Sequence, residues 1–292
     1  MLRLILIFLT ATGLLYAQLS VVATTTTMQM LASTVGGDRI KVTVLAPPDR
    51  DAHFLQARPS MMRDLRSADL VVAVGAELEV GWLPAAIRGA ANPQINPGNP
   101  GYFEAAAQVD LIDVGQAADR SLGDVHPAGN PHINLDPVRI SQAAMALASR
   151  LGALDPAGRE EYRANALAFD QAVQQRLPGW ERKLQGVSGV LLYHKDANYL
   201  TGRFGVPVLG YVEPLPGIPP TAAHLSDLAS RLSGQKGAVL HAVYQPAQSS
   251  EFVGKQLGWP VRALPTDPPI GGDKEAYFKV IDAWVEAMAL AK

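Results

Sequence analysis

Six histidines are the residues of this sequence best suited to chemistry: His53, His126, His132, His194, His224 and His241. Neutral imidazole binds borderline divalent ions such as zinc, and a carboxylate can complete a four-coordinate shell. The sequence has no cysteine. That excludes disulfides, thiolate metal sites, iron–sulfur clusters and a cysteine nucleophile. Local context sorts the histidines. His53 lies in the loop 46–56, which leaves a strand; His132 lies between a strand and a helix, in Gly129-Asn-Pro-His-Ile-Asn-Leu-Asp-Pro137; His194 ends the apolar run 190–193. Asp267 follows the run 261–264. All four stand where strands end and helices have not begun, the edge of a parallel sheet at which ligands bind. Spacing alone leaves each histidine open to an ordinary role as a hydrogen-bonded loop residue.

The elements that must position these residues alternate. Strands are expected at 19–23, 41–45, 70–74 and 109–114, and helices at 27–35, 59–66, 80–91 and 138–151, the last with Pro137 at its start. A second alternating block gives strands at 190–193, 206–212, 238–243 and 261–264. Its helices fall at 198–204, 222–232, 247–257 and 274–290. Such alternation implies parallel sheets covered on both faces. Between the blocks, Tyr162, Ala166, Phe169, Val173, Leu177, Trp180 and Leu184 recur at spacings of three and four, a helical stripe. From Pro156 to Leu184 such a helix is about 43 Å long, with a kink or break expected at Pro178-Gly179. The expected fold is α/β: two parallel-sheet βα lobes joined by one long helix, with a metal site in the cleft between them. Residues 18–152 form the first lobe, 153–186 the linking helix and 187–292 the second lobe. Trp82, Trp180, Trp259 and Trp284 are assigned to packing.

The first 17 residues carry one charge, Arg3, then the apolar run 4–9 and small residues up to Ala17. This pattern is that of a secretory signal peptide, and it is too short for a membrane-spanning helix. Without a cysteine after the cut, no lipid anchor is expected. The chain of 292 residues, 48% hydrophobic and 18% charged, can bury a core without cross-links. Its 25 basic and 27 acidic residues give no basic stripe for nucleic acid, and a mature chain without Arg3 moves from −2 to −3. No phosphate loop, dinucleotide fingerprint or nucleophile elbow is present.

Several strings, in order along the chain, resemble the metal-binding receptors of ABC importers that take up zinc and manganese (cluster A). Asp51-Ala-His-Phe-Leu-Gln-Ala-Arg-Pro-Ser60 resembles the family's D-P-H-x-x-x-x-x-P-S box, and Ser67–Glu79 with Trp82-Leu83 the stretch after it. Asn130-Pro-His-Ile-Asn-Leu-Asp-Pro137 resembles D-P-H-x-W-L-D-P. Tyr193-His194, Tyr199 and Arg203-Phe-Gly205 resemble H-x-A-x-x-Y-x-x-x-x-Y-G, and Glu213-Pro214 and Thr266-Asp267 fall at the hinge-side loop and the final carboxylate. The resemblance implies metal ligation by His53, His132, His194 and Asp267. It implies a periplasmic, monomeric, non-enzymatic receptor that hands its ion to an ABC permease in the inner membrane. Three histidines with one aspartate lean to Zn²⁺; Mn²⁺ is the alternative, because the family's manganese sites often replace the third histidine by glutamate. Ala52 and Asn130 depart from the family's Pro and Asp. The long His-rich loop of many zinc receptors is absent; only 119–129 stands there, leaving His126 as an auxiliary ligand or a solvated loop residue. His241 is assigned to packing, His224 to the surface, and Lys195-Asp196 to a solvated turn. Two other classes fit parts of the pattern: a secreted zinc hydrolase with an open fourth position, and a haem or siderophore receptor with a roomier cleft.

Overall fold

The computed structural model describes residues 18–115 and 126–292; the expected signal peptide, 1–17, and part of the loop before His126 lie outside them. Two four-stranded parallel sheets organise the chain, with strand orders β2-β1-β3-β4 and β6-β5-β7-β8. In the first, β1 (Leu19–Ala23) and β3 (Leu70–Ala73) are central, and β2 (Ile40–Val44) and β4 (Tyr102–Glu104) are edges. In the second, β5 (Val190–Leu192) and β7 (Ala238–Ala242) are flanked by β6 (Val208–Tyr211) and β8 (Val261–Leu264). The central strands β3, β5 and β7 are buried at every position, as continuous apolar runs covered on both faces require. The edge strands are only partly buried.

The covering helices of the first lobe are α1 (Thr26–Gly36), α2 (Pro59–Arg66), α3 (Leu83–Ala90) and α4 (Pro137–Leu154). After the linking helix α5 (Arg159–Leu184) come α6 (Asn198–Arg203), α7 (Ala222–Leu232), α8 (Ala247–Leu257) and α9 (Lys274–Ala289). Among the described residues no helix is long and apolar enough to cross a membrane. One apolar core runs from Val21 through Tyr162, Phe169 and Val173 of α5 to Phe278 and Trp284 of α9, so both lobes share it. Phe169 stacks on Phe278 at 5.8 Å, and the Arg176 guanidinium lies 3.8 Å over the Phe278 ring. All four tryptophans are buried, as their packing assignment expects.

Three expectations are corrected. Helix α5 runs unbroken through Pro178-Gly179. Its flanks are tied to α9: Trp180 Nε1 donates to Asp282 at 2.7 Å, and Arg176 and Lys183 pair with Glu275 and Glu286. These ties, together with the burial of Trp180 and Leu184 beyond the proline, hold the helix together against the roughly 3 kcal/mol that an interior proline costs. Residues 109–114 are not a strand. The edge strand is instead Tyr102–Glu104, whose three residues are too few to show a period, and the Ile112 N–H goes to the Tyr199 hydroxyl, 3.2 Å away. Helix α3 begins at Leu83 rather than near 80, because residues 76 and 77 hold positive φ and turn the chain first.

Candidate metal centre

Strand β2 continues its ladder past Val44, with Leu45 and Ala46 donating to Ala23 and Thr24, and then releases the chain into the loop that carries His53. A single 3-10 turn, Ala52–Phe54, forms there. Asp51 caps it, and Trp82 Nε1 clamps it by donating to the Ala52 carbonyl at 2.8 Å. One oxygen of Asp51 accepts both the His53 backbone N–H, at 3.0 Å, and the ring Nδ1, at 2.6 Å. The second lobe-edge loop repeats the device. Asn130 Oδ1 accepts the His132 backbone N–H at 2.9 Å and ring Nδ1 at 2.7 Å. Asn130 is itself fixed by the Tyr199 hydroxyl on its carbonyl, 2.6 Å, and by its own Nδ2 on the Lys195 carbonyl, 3.2 Å. An amide oxygen thus does for His132 what a carboxylate does for His53. His194 follows β5 directly, and its Nδ1 meets Glu213 Oε2 at 2.9 Å.

Each Nδ1 therefore faces an oxygen acceptor, which places a proton there and leaves Nε2 of the neutral ring as a lone-pair donor, the arrangement metal-ligating histidines use. The rings converge: centroids are 5.2 Å apart for His53 and His132, 5.0 Å for His132 and His194, and 6.1 Å for His53 and His194. His132 Nε2 is buried with no hydrogen-bond partner. A buried polar atom left unpaired normally costs 1–3 kcal/mol, so this nitrogen is built for something that arrives.

Asp267 lines the same pocket, but its carboxylate is engaged elsewhere. Oδ1 accepts from the Thr27 N–H at 3.1 Å and from the Thr27 hydroxyl at 2.6 Å, and Oδ2 meets the Thr266 hydroxyl at 3.1 Å. It sits against the first turn of α1, where backbone N–H groups and the helix dipole favour an anion. Asp196, read from the sequence as part of a solvated turn, is buried. Gln245 Nε2 donates to its Oδ2 at 2.7 Å, and its Oδ1 stands 3.7 Å from His132 Nε2. Donor atoms of His132, His194 and Asp196 all lie within 4.8 Å of one another. The only signal for Asp196 was its place two residues past a strand-end histidine. His126 also joins the cluster, with its Nε2 3.2 Å from His53 Nε2. His241 is buried and bonded to the Ala242 carbonyl, and His224 reaches the Tyr211 carbonyl, both away from the centre.

Electrostatics separate the candidate ligands. Burial, reinforced by the neighbouring His194, His53 and His126, holds His132 well below the usual histidine range, so it is neutral and ready to bind. Burial also opposes a charged His194, but the Glu213 hydrogen bond and the carboxylates of Asp196, Glu213 and Asp51 overcome it and push His194 up to about 9. Burial raises Asp196 and Asp267, whereas at Asp51 the bonds from His53 outweigh burial and lower it. The pocket lined by His53, His132, Asp196 and Asp267 holds only about 30 Å³, room for an ion or a water or two and not for an organic substrate.

The family model of the periplasmic component A of the zinc-uptake complex matches residues 21–291. The chain is 27% identical over 280 residues to the high-affinity zinc uptake system protein ZnuA of Yersinia pestis, covering 89% of this chain and 87% of that one. It is 27% identical over 197 residues to the manganese ABC transporter substrate-binding lipoprotein PsaA of Streptococcus pneumoniae, a match to 65% of this chain and 60% of that protein. Among solved structures, a crystal structure of ZnuA superposes with a TM-score of 0.76 at 21% identity, covering 93% of this chain and 99% of that one. The FpvC binding protein of Pseudomonas aeruginosa in complex with Mn²⁺ gives 0.80 at 22% identity, with 94% and 98% covered.

Proposed function

Because the chain belongs to the family of periplasmic zinc-uptake components, we propose that it captures one Zn²⁺ ion between its lobes and hands it to the permease of an ABC importer. The observation that carries this reading is the buried, unpartnered His132 Nε2, set among imidazoles whose Nδ1 atoms are each held by an oxygen. His53 and His132 come from the first lobe and His194 from the second, so the ion ties the lobes together. The fourth position falls to a side chain of the pocket wall; Asp267 is the carboxylate the sequence resemblance assigns to it, and to reach the ion it must give up its bonds to Thr27. Asp196 adds negative charge beside the cation. Three imidazoles favour zinc over manganese, which prefers oxygen ligands. The small pocket around the histidines supports a binding role rather than hydrolysis, and it is too small for haem or a siderophore. Residues 1–17 act as the export signal, and the receptor works as a periplasmic monomer.

Metal analysis of the purified protein after competition among equimolar zinc, manganese and iron tests the reading. One zinc per chain is expected. Preferential retention of manganese supports the PsaA-like alternative, and retention of none of the three overturns the proposal.

A further inference from the structure

We propose that His126 is an inner ligand of the captured ion, so that the site holds zinc with four imidazoles while Asp267 stays on Thr27; this rests on the zinc reading above. Four observations converge. First, two nitrogens bound at about 2.0–2.1 Å to a tetrahedral zinc lie roughly 3.3 Å apart, and His53 Nε2 and His126 Nε2 are 3.2 Å apart. The pair is already spaced as two ligands of one ion. Second, the His126 ring is part of the cluster, with centroids 5.1 Å from His53 and 6.3 Å from His132.

Third, the segment that carries His126 is pinned. The Gly129 N–H donates to the His126 carbonyl at 2.9 Å, closing a turn over Pro127; Gly115 N–H donates to the Pro127 carbonyl at 3.1 Å and Asn130 N–H to the Ile112 carbonyl at 2.8 Å. Gly129 has φ +120°, and a Cβ there would stand 2.7 Å from Leu111 Cβ, so the turn admits only glycine without rearrangement. The same turn ends on Asn130, which orients His132. One short segment thus delivers two imidazoles. Fourth, the competing carboxylate has three polar contacts where it stands, at Thr27 N, Thr27 Oγ1 and Thr266 Oγ1, and to bind metal it must break the pair across the lobes. At His126 the change is one of tautomer: with His53 Nδ1 donating to Asp51, His126 Nε2–H is the donor of the 3.2 Å contact, and moving that proton to Nδ1 presents Nε2 to the ion.

Zinc K-edge X-ray absorption on the loaded protein, paired with chelator competition, decides this. The expected result is four imidazole scatterers in the wild type and in Asp267→Asn. His126→Ala should fall to three imidazoles plus an oxygen and lose at least about tenfold in zinc affinity, because displacing even an outer partner of a ligand costs 10–100-fold. Three imidazoles plus an oxygen in the wild type, with His126→Ala at unchanged affinity, would overturn the assignment and leave the zinc reading standing. A wild type that takes up no zinc would instead overturn the zinc reading, and this assignment with it.

Discussion

At the scale of single residues, Asp51 and Asn130 hold their histidines in the same way, from two positions upstream and through one oxygen that serves both backbone and ring. Replacing Asn130 by Ala removes that hold without touching a ligand. A loss of about 10–100-fold in zinc affinity is expected, read by competition with a chromogenic chelator; unchanged affinity would mean that packing alone orients His132. His194 gives a second prediction. It is pushed up to about 9 in the metal-free protein, against the pull of burial and chiefly by Glu213. The sign follows from a folded-state value above the unfolded one: its contribution to folding is fully present below about 6.5 and is lost as pH rises through about 9. Zinc must displace that proton, so affinity should rise with pH across this window, and binding at pH 7 should release about one proton. Calorimetry in buffers of different ionisation enthalpy measures the release, and a value near zero would count against His194 as a ligand.

At the scale of elements, the linking helix makes its own prediction. Gly179 sits inside α5 with nothing within 4 Å of where a Cβ would lie. Gly179→Ala should therefore raise stability by about 0.5–1 kcal/mol in denaturant unfolding while leaving zinc affinity unchanged; destabilisation would mean that the helix is distorted there. The stripe of α5 was legible because Tyr162, Phe169, Val173 and Trp180 keep their spacing, and all four are buried. Pro178 does not break the helix, because local preference yields to the ties from Arg176, Trp180 and Lys183 to α9. The convergence of His53, His132 and His194 was legible from their places at strand ends. Asp196 was not, because its burial depends on Gln245, 49 residues away. Nor could the sequence show that Asp267 spends its oxygens on Thr27, a contact spanning 240 residues.

At the scale of the whole molecule, the two lobes meet through polar struts as well as through the common core. Asp136 caps α4 and receives Arg203 from α6 at 2.6 and 2.8 Å, with Arg139 on its other side. Tyr277 donates to the Asn134 carbonyl, and Asn134 to the Thr266 carbonyl. Arg203→Ala leaves a buried carboxylate with one guanidinium instead of two. A loss near the low end of the 3–5 kcal/mol typical of a broken buried pair is expected, and a change below about 0.5 kcal/mol would show that the strut carries no load. With the lobes locked in this way, ion capture should protect the loops around His53, His126 and His194 from hydrogen exchange without a large rotation of one lobe against the other. Zinc at 1,000-fold excess over its Kd should stabilise the fold by about 4 kcal/mol.

The most direct measurement is a zinc titration of the metal-stripped protein beside His132→Ala and His241→Ala. One ion per chain is expected for the wild type and for His241→Ala, whose ring is buried on the Ala242 carbonyl outside the centre. His132→Ala, stripped of the nitrogen that waits unpaired at the heart of the pocket, should bind at least about a hundredfold more weakly, beyond the 10–100-fold cost of disturbing an outer partner. Equal affinity in all three, or no zinc bound by the wild type, would contradict capture of the ion by the imidazoles between the lobes.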